Sequence, residues 1–176
     1  LVEGFAYGDM TSVAVDTVND HIAVALQAAG DADNGRIVLL DYDFNMIAAY
    51  ETGVQPDMVT FTHNGRMILS ANEGEPREGY GEGTVDPAGS VSIVDLVEDT
   101  VTTAGFEAFD AAELAANGVL IGVVNGQMNT AAADLEPEYI AVSPDDAKAY
   151  VSLQEANAIA TVDLNSKTIT SVRSMG

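Results

Sequence analysis

A pattern of two alternating strands joined by a polar turn occurs three times in this chain. It reads SVAVDTVNDHIAVALQ from Ser12, MVTFTHNGRMILSANE from Met58 and YIAVSPDDAKAYVSLQE from Tyr139. The turns are rich in Asn, Asp, Gly and Pro, which favour β-hairpins. Because one hairpin unit is repeated, the chain must adopt a fold that is built by stacking such units.

Each hairpin is followed by two further strand-like segments. The third segments read GRIVLLDYD from Gly35, GSVSIVDL from Gly89 and NAIATVDL from Asn157, and the fourth read MIAAYETG, TVTTAGF and TITSVRSMG. Each third segment places an aspartate late in an apolar run, and we predict that Asp41, Asp95 and Asp163 brace a turn of their own unit. Four antiparallel strands in about 40 residues are typical of a β-propeller blade.

The spacing of the repeats defines the domain organisation. Val13 and Val59 start equivalent strands 46 residues apart, whereas Val59 and Ile140 are 81 residues apart. The repeat units therefore cover about 9–53, 57–103 and 137–176, with an insertion between blades over about 104–136. In the insertion, Asp110 is a predicted helix N-cap and Gly118 a predicted stop. The sequence thus predicts an all-β protein, a β-propeller with a short helical insertion.

The number of blades predicts that further blades are needed to close the propeller. The chain provides about three to four blades, and an open array of that size leaves apolar blade faces and a strand edge uncovered. We expect these surfaces to be covered by the remaining blades of a ring or by a self-associated copy of the chain.

The charge of the chain restricts its partners. There are 28 acidic and 6 basic residues, a formal charge of −22, and no cysteine. Such a surface repels nucleic acid and anionic membranes, and it suits cations, a saline medium or simple solubility. Disulfides and thiolate zinc sites are excluded. We expect no membrane insertion, because no apolar run approaches the roughly 20 residues of a membrane-spanning helix.

Carboxylates are concentrated where inner strands begin or end. Pro56-Asp57 and Pro137-Glu138 both place an acid after a proline at the start of a strand, and the polar ends of the second strands are predicted to be equivalent at Gln27, Glu73 and Glu155. If these ends share one face, a hard divalent cation with oxygen ligands would relieve their repulsion. Calcium fits best, ahead of magnesium or manganese, and the predicted ligands are Glu73, Glu75, Asp86, Glu136, Glu138 and Glu155.

Simpler interpretations of these acids remain open. They could be solvated loop residues or could cap exposed backbone amides, and Asp86 belongs to DPAG, which is good turn chemistry by itself. Arg77 could pair with Glu75. His21 and His63 are predicted to be surface residues, and neither G-x-S-x-G nor H-E-x-x-H occurs. The residues therefore favour a non-catalytic protein.

Four long segments carry a resemblance to a known family: QPDMVTFTHNGRMILSANEGEP, TVDPAGSVSIVDL, DLEPEYIAVSPD and AYVSLQEANAIATVDL. They resemble the choice-of-anchor I family of secreted bacterial propellers of the YVTN and WD40-like type, which is similar to mesenchyme-specific cell-surface glycoproteins. The resemblance implies part of a seven-bladed ring in an extracellular, periplasmic or cell-surface location. The expected function is a binding or scaffold module for cations and for a glycan, mineral or surface protein, and the alternative is a metal-dependent phosphoesterase.

Overall fold

The computed structural model describes residues 2–80 and 83–176, which form three four-stranded antiparallel sheets. Blade 1 contains β1 (Tyr7–Asp16), β2 (His21–Ala28), β3 (Asn34–Asp41) and β4 (Met46–Val54). Blade 2 contains β5 (Pro56–Phe61), β6 (Met67–Asn72), β7 (Ser90–Asp95) and β8 (Thr100–Gly105). The segment after blade 2 contains α1 (Ala111–Ala116), β9 (Val123–Val124), β10 (Gln127–Met128) and α2 (Ala131–Asp134). Blade 3 contains β11 (Pro137–Val142), β12 (Lys148–Leu153), β13 (Ala158–Asp163) and β14 (Thr168–Ser174).

The first strands of the blades lie side by side, and the strands of each sheet follow in chain order towards the outside. β1 contacts β5, where the Thr11 hydroxyl donates to the Pro56 carbonyl oxygen at 2.6 Å and the Val59 amide donates to Ser12 Oγ at 3.2 Å. β5 in turn contacts β11. This radial arrangement confirms the predicted propeller class.

Apolar side chains from neighbouring blades form the core between the sheets. Ile37 and Leu39 of blade 1 pack with Val59 and Phe61 of blade 2. A second cluster joins blades 2 and 3 and includes the fully buried Phe106. Burial of apolar surface stabilises such contacts by roughly 25 cal/mol per Å², so packing between neighbouring blades contributes to the stability of the fold.

The aspartates at the ends of the third strands brace turns, as predicted. Asp41 accepts hydrogen bonds from the Asp43 and Asn45 amides, and Asp163 accepts them from the Asn165 and Ser166 amides. Asp95 accepts hydrogen bonds from the Val97 and Glu98 amides. These bonds favour the charged carboxylate and hold the pKa values of Asp41 and Asp163 below their usual range.

The two ends of the sheets differ in charge. At the end that carries the turns after the first strands, here called the turn face, the buried Asp95 carboxylate lies 3.1 Å from Arg66 Nη2 and 3.3 Å from Lys167 Nζ. Lys167 belongs to blade 3, so this pairing joins two blades. His63 and Asp146 add a second contact on the same face at 2.7 Å. The end at which the first and third strands begin is called the acidic face.

The insertion begins with the predicted helix. Asp110 caps α1 by accepting a hydrogen bond from the Glu113 amide at 2.9 Å, and Gly118 follows with a φ of +88°, where a left-handed residue ends a helix. Beyond it, β9 and β10 form a hairpin whose turn residues, Asn125 and Gly126, both have positive φ. Within residues 2–80 and 83–176, no helix has the length and apolarity needed to cross a membrane.

Candidate functional site: the acidic face

A β-bulge orients one acid at the start of the first strand in blades 2 and 3. Asp57 lies between the pairs Pro56–Asn72 and Met58–Ala71 and has no partner of its own in the register. Glu138 has the equivalent position between the pairs Pro137–Leu153 and Tyr139–Ser152. A bulge bends its strand and redirects the extra side chain, and bulges are common beside binding sites. The proline-acid pattern of the sequence is therefore a repeated bulge.

The bulge recurs in blade 1 without an acid. There Thr11 has the extra position, between the pairs Met10–Leu26 and Ser12–Ala25, and its hydroxyl bonds to the Pro56 carbonyl. The carboxylates thus belong to blades 2 and 3, while blade 1 contributes a contact that holds the two first strands together.

Glu73 lies near the centre of the carboxylate group. Its pKa is raised to about 7, mainly by partial burial and then by the negative charges of Asp57, Glu75 and Glu155, against a smaller opposing effect of Arg77. Asp57 and Glu73 belong to blade 2, whereas Glu155 belongs to blade 3. Side chains of two blades therefore act on each other across the acidic face.

Glu138 lies near the start of β11, and Glu155 follows the end of β12, the strand that pairs with β11. Burial raises the pKa of Glu138 to about 7, and a hydrogen bond between the two carboxyl groups contributes to the rise, as do the charges of Glu155, Glu73 and Asp57. The raised pKa of Glu138 leaves a substantial share of this carboxyl group protonated near neutral pH.

Glu136 is the most buried of these acids, with 9% of its surface exposed. Burial raises its pKa to about 7, followed by the charges of Glu155, Glu75 and Glu73. The Tyr80 hydroxyl reaches Glu136 Oε1 at 3.5 Å, which is long for a bond between two oxygens. Desolvation and the carboxylate of Glu136 also raise the pKa of Tyr80 to about 12, so its phenol stays protonated and can donate.

Five of the six predicted ligands influence one another electrostatically, and these are Glu73, Glu75, Glu136, Glu138 and Glu155. Asp86 is turned towards the insertion, where its Oδ2 accepts from Asn129 Nδ2 at 3.2 Å, and its buried Oδ1 has no hydrogen-bond partner among the described residues. Asp57 belongs to the group although its sequence pattern alone did not identify it as a ligand.

Two details of the sequence interpretation are wrong. The register makes Gln154, not Glu155, equivalent to Glu73, because Leu153 pairs with Pro137 as Asn72 pairs with Pro56. Arg77 does not pair with Glu75. Its guanidinium instead donates to Gln27 Oε1 at 2.6 Å and lies 3.8 Å from Asp31, because the loop after β6 crosses to the end of β2.

The donor types on the acidic face suit a hard cation, but the side chains are not converged. Carboxylate oxygens are the ligands that calcium prefers. Across residues 2–80 and 83–176, no three His, Asp or Glu side chains are arranged so that they could already hold a metal ion. The backbone therefore brings the carboxylates near one another, and ion binding at this face would require rotation of their side chains.

Comparison with known structures agrees with the propeller fold. The chain is similar to hydrazine synthase from Kuenenia stuttgartiensis (14% identity, TM-score 0.58, 87% of this chain and 39% of that one). It is also similar to the β-propeller domain of the Trilobed protease from Pyrococcus furiosus (12% identity, TM-score 0.52, 96% and 42%) and to the RRP9 WD40 repeats (8% identity, TM-score 0.57, 99% and 40%). The chain thus spans well under half the length of each of these three structures, and the similarity defines it as a β-propeller.

The family follows from a profile match. The choice-of-anchor I domain matches residues 2–176, and the chain belongs to that family. A comparison with curated protein sequences gives no match.

Proposed function

We propose that this choice-of-anchor I propeller is a non-catalytic binding module that takes a divalent cation on its acidic face, with calcium preferred over magnesium or manganese. The observation that supports the proposal most strongly is the mutual repulsion of Asp57, Glu73, Glu138 and Glu155, which come from two neighbouring blades. A calcium ion accepts six to eight oxygen ligands at about 2.3 to 2.6 Å in flexible geometry. Glutamate side chains have the freedom to converge on such an ion.

Cation binding at this face is coupled to proton release. A carboxylate must be ionised to bind calcium, and Glu73 and Glu138 have pKa values of about 7 without an ion. Affinity should therefore rise as the pH rises through about 7 and fall below it.

The setting of this module is the cell surface, the periplasm or the medium, as the family name suggests. A cation held by a few protein carboxylates keeps open coordination positions for oxygens of a partner. A glycan, a mineral surface or a surface protein has such oxygens. The remainder of the −22 charge makes nucleic acid an unfavourable partner.

Scanning calorimetry with calcium chloride tests the proposal. At pH 7.5 we expect calcium to raise the melting temperature more than sodium chloride of equal ionic strength, because an ion bound only by the native state stabilises it. Glu73→Gln and Glu138→Gln should reduce the increase, and Glu107→Gln, which changes an exposed acid outside the group, should not. Equal increases with both salts would indicate general charge screening and overturn the proposal.

The competing function is a metal-dependent phosphoesterase, in which two ions would activate water and clamp a phosphate. The carboxylates from two blades supply enough ligands for more than one ion, but neither histidine belongs to the group. Hydrolysis of 4-nitrophenyl phosphate with calcium, magnesium or manganese distinguishes the two. Turnover that is lost in Glu73→Gln and kept in Glu107→Gln would support the phosphoesterase and overturn the non-catalytic function.

A further blade or a second copy of this chain is the expected partner of blade 1. Val13 and Val15 are 59% and 57% exposed, whereas the equivalent Val59 and Phe61 of blade 2 are 2% and 9% exposed. In blade 2 these positions are covered by blade 1. The uncovered valines therefore have the chemistry of a joint between blades.

A further inference from the structure

Beside the acidic face, between the insertion and blade 3, lies a cavity of about 460 Å³. Its volume is in the range of sites that hold small molecules. One wall is apolar and includes Leu120 and Val123, and the other carries Tyr80, Glu136 and Glu155. The two walls therefore differ sharply in chemistry.

The apolar wall is built on a hydrogen-bonded hairpin. It is formed around the β9–β10 hairpin, whose Asn125-Gly126 turn has the positive φ angles of a tight two-residue turn. Asp134 anchors the wall because its Oδ2 accepts from the Gly122 amide at 2.8 Å and its Oδ1 from Asn129 Nδ2 at 3.2 Å. The Asp134 carboxylate is thus occupied in holding the hairpin.

This wall exposes large apolar side chains to solvent. Val123 is 66% exposed and Leu120 is 58% exposed. Tyr80, with 56% of its surface exposed, presents an aromatic ring opposite them. Apolar side chains that line a preformed cavity are available to contact the body of a ligand.

Glu136 is the polar group that this cavity leaves unsatisfied. It is nine-tenths buried, it lines the cavity, and its only hydrogen bond among the described residues is the 3.5 Å contact from Tyr80 to Oε1. No arginine or lysine pairs with it within residues 2–80 and 83–176. A buried carboxylate without a cation is costly, so a bound cation would offset that cost.

From this combination we propose that the cavity binds an organic ammonium ion with an apolar body. The ammonium group pairs with Glu136, with Glu155 nearby, and the body contacts Val123 and Leu120. The Tyr80 ring is placed to add a cation–π contact. The shared chemistry is a primary amine on a hydrocarbon group, which occurs in free amines and in lysine side chains. The cavity adjoins the acidic face and shares Glu155 with the group that is proposed to bind calcium, but amine binding here does not require a calcium ion.

Isothermal titration calorimetry at pH 8 with 2-phenylethylamine tests the proposal, with 2-phenylethanol as the neutral counterpart. We expect the amine to bind and the alcohol to bind at least about tenfold more weakly, since only the amine can pair with Glu136. Nα-acetyl-lysine methylamide tests the second source, and tighter binding of it than of the free amine would assign the cavity to a protein partner.

The variants locate the binding. Glu136→Gln should lower the affinity for the amine by about tenfold or more, and Val123→Ser should lower it by a few-fold. Val123 is an exposed hairpin residue, so its replacement leaves the core intact. Amine binding should be unchanged in Glu107→Gln and in Asp57→Asn. Asp57→Asn should lower the affinity for calcium. Unchanged affinity in Glu136→Gln, equal affinity for the alcohol, or absence of amine binding would each overturn the proposal. Failure of the calcium test alone would leave it standing.

Discussion

Replacing Glu136 by glutamine should stabilise the protein at high pH and have little effect at low pH. Glutamine keeps the size of the side chain and removes its charge. The pKa of Glu136 is about 7 in the folded protein, against 4.5 for an unperturbed glutamate. The folded protein therefore holds the proton more tightly than the unfolded chain does.

The size of the effect follows from this difference. The stability associated with protonated Glu136 is fully present below a pH of about 4.5 and is lost as the pH rises through about 7. With about 1.4 kcal/mol for each pKa unit, ionisation of Glu136 costs the fold up to about 3 kcal/mol. Glu136 is 9% exposed, but it lines the open cavity, so solvent there screens part of this cost. We expect the variant to be more stable than the wild type by about 1 to 2 kcal/mol at pH 8 and by less than about 1 kcal/mol at pH 5.

Urea denaturation followed by circular dichroism at pH 5, 6, 7 and 8 measures this difference. The experiment is done in chelator, so that bound cations do not stabilise the wild type. Glu107→Gln is the matched control, because Glu107 is exposed and its removal should give a constant difference across the pH range. If the stability difference between the wild type and Glu136→Gln did not change with pH, Glu136 would not be a desolvated carboxylate. The cavity would then lack the buried charge that is proposed to pair with an ammonium group.

Two further predictions concern the joints between blades. Asp95→Asn should destabilise the protein by about 2 to 4 kcal/mol at pH 7, because the buried carboxylate pairs with Arg66 and Lys167. Those bonds hold the pKa of Asp95 at about 2, so the contribution is present above a pH of about 4 and is lost as the pH falls through about 2. Urea titrations at pH 7 and pH 3 check both points, and an equal loss at the two would contradict them. For the exposed face of blade 1, light scattering should detect concentration-dependent association of the chain that Val13→Ser reduces, whereas a monomer at every concentration would contradict that expectation.

The repeat made most of the fold predictable. Hairpin turns, alternating strands and the aspartates at the strand ends are local signals, and each is set by a few neighbouring residues. The helix α1 was predictable for the same reason, from Asp110 and Gly118. The β9–β10 hairpin was not predicted, although Asn125-Gly126 between Val124 and Gln127 is a strong hairpin signal. The insertion interrupts the period of the repeat, so the blade pattern does not predict this hairpin.

The chemistry of the acidic face was only partly predictable. The pattern of proline followed by acid in Pro56-Asp57 and Pro137-Glu138 is visible in the sequence, but the bulge that it marks appears only in the pairing of β5 with β6 and of β11 with β12. The predicted equivalence of Glu155 with Glu73 is wrong by one residue, because the register of a strand is set by its partner strand. The contact of Arg77 with Gln27 also depends on how two blades are placed.

By itself, the sequence determined the blade repeat, the strong negative charge and the set of carboxylates available, because these depend on residue type and local spacing. Tertiary structure decided which carboxylates repel one another, which one is buried, and that Glu136 faces a cavity with an apolar wall. Those properties arise between elements that are far apart in the chain, where desolvation and the distance between charges are set by packing.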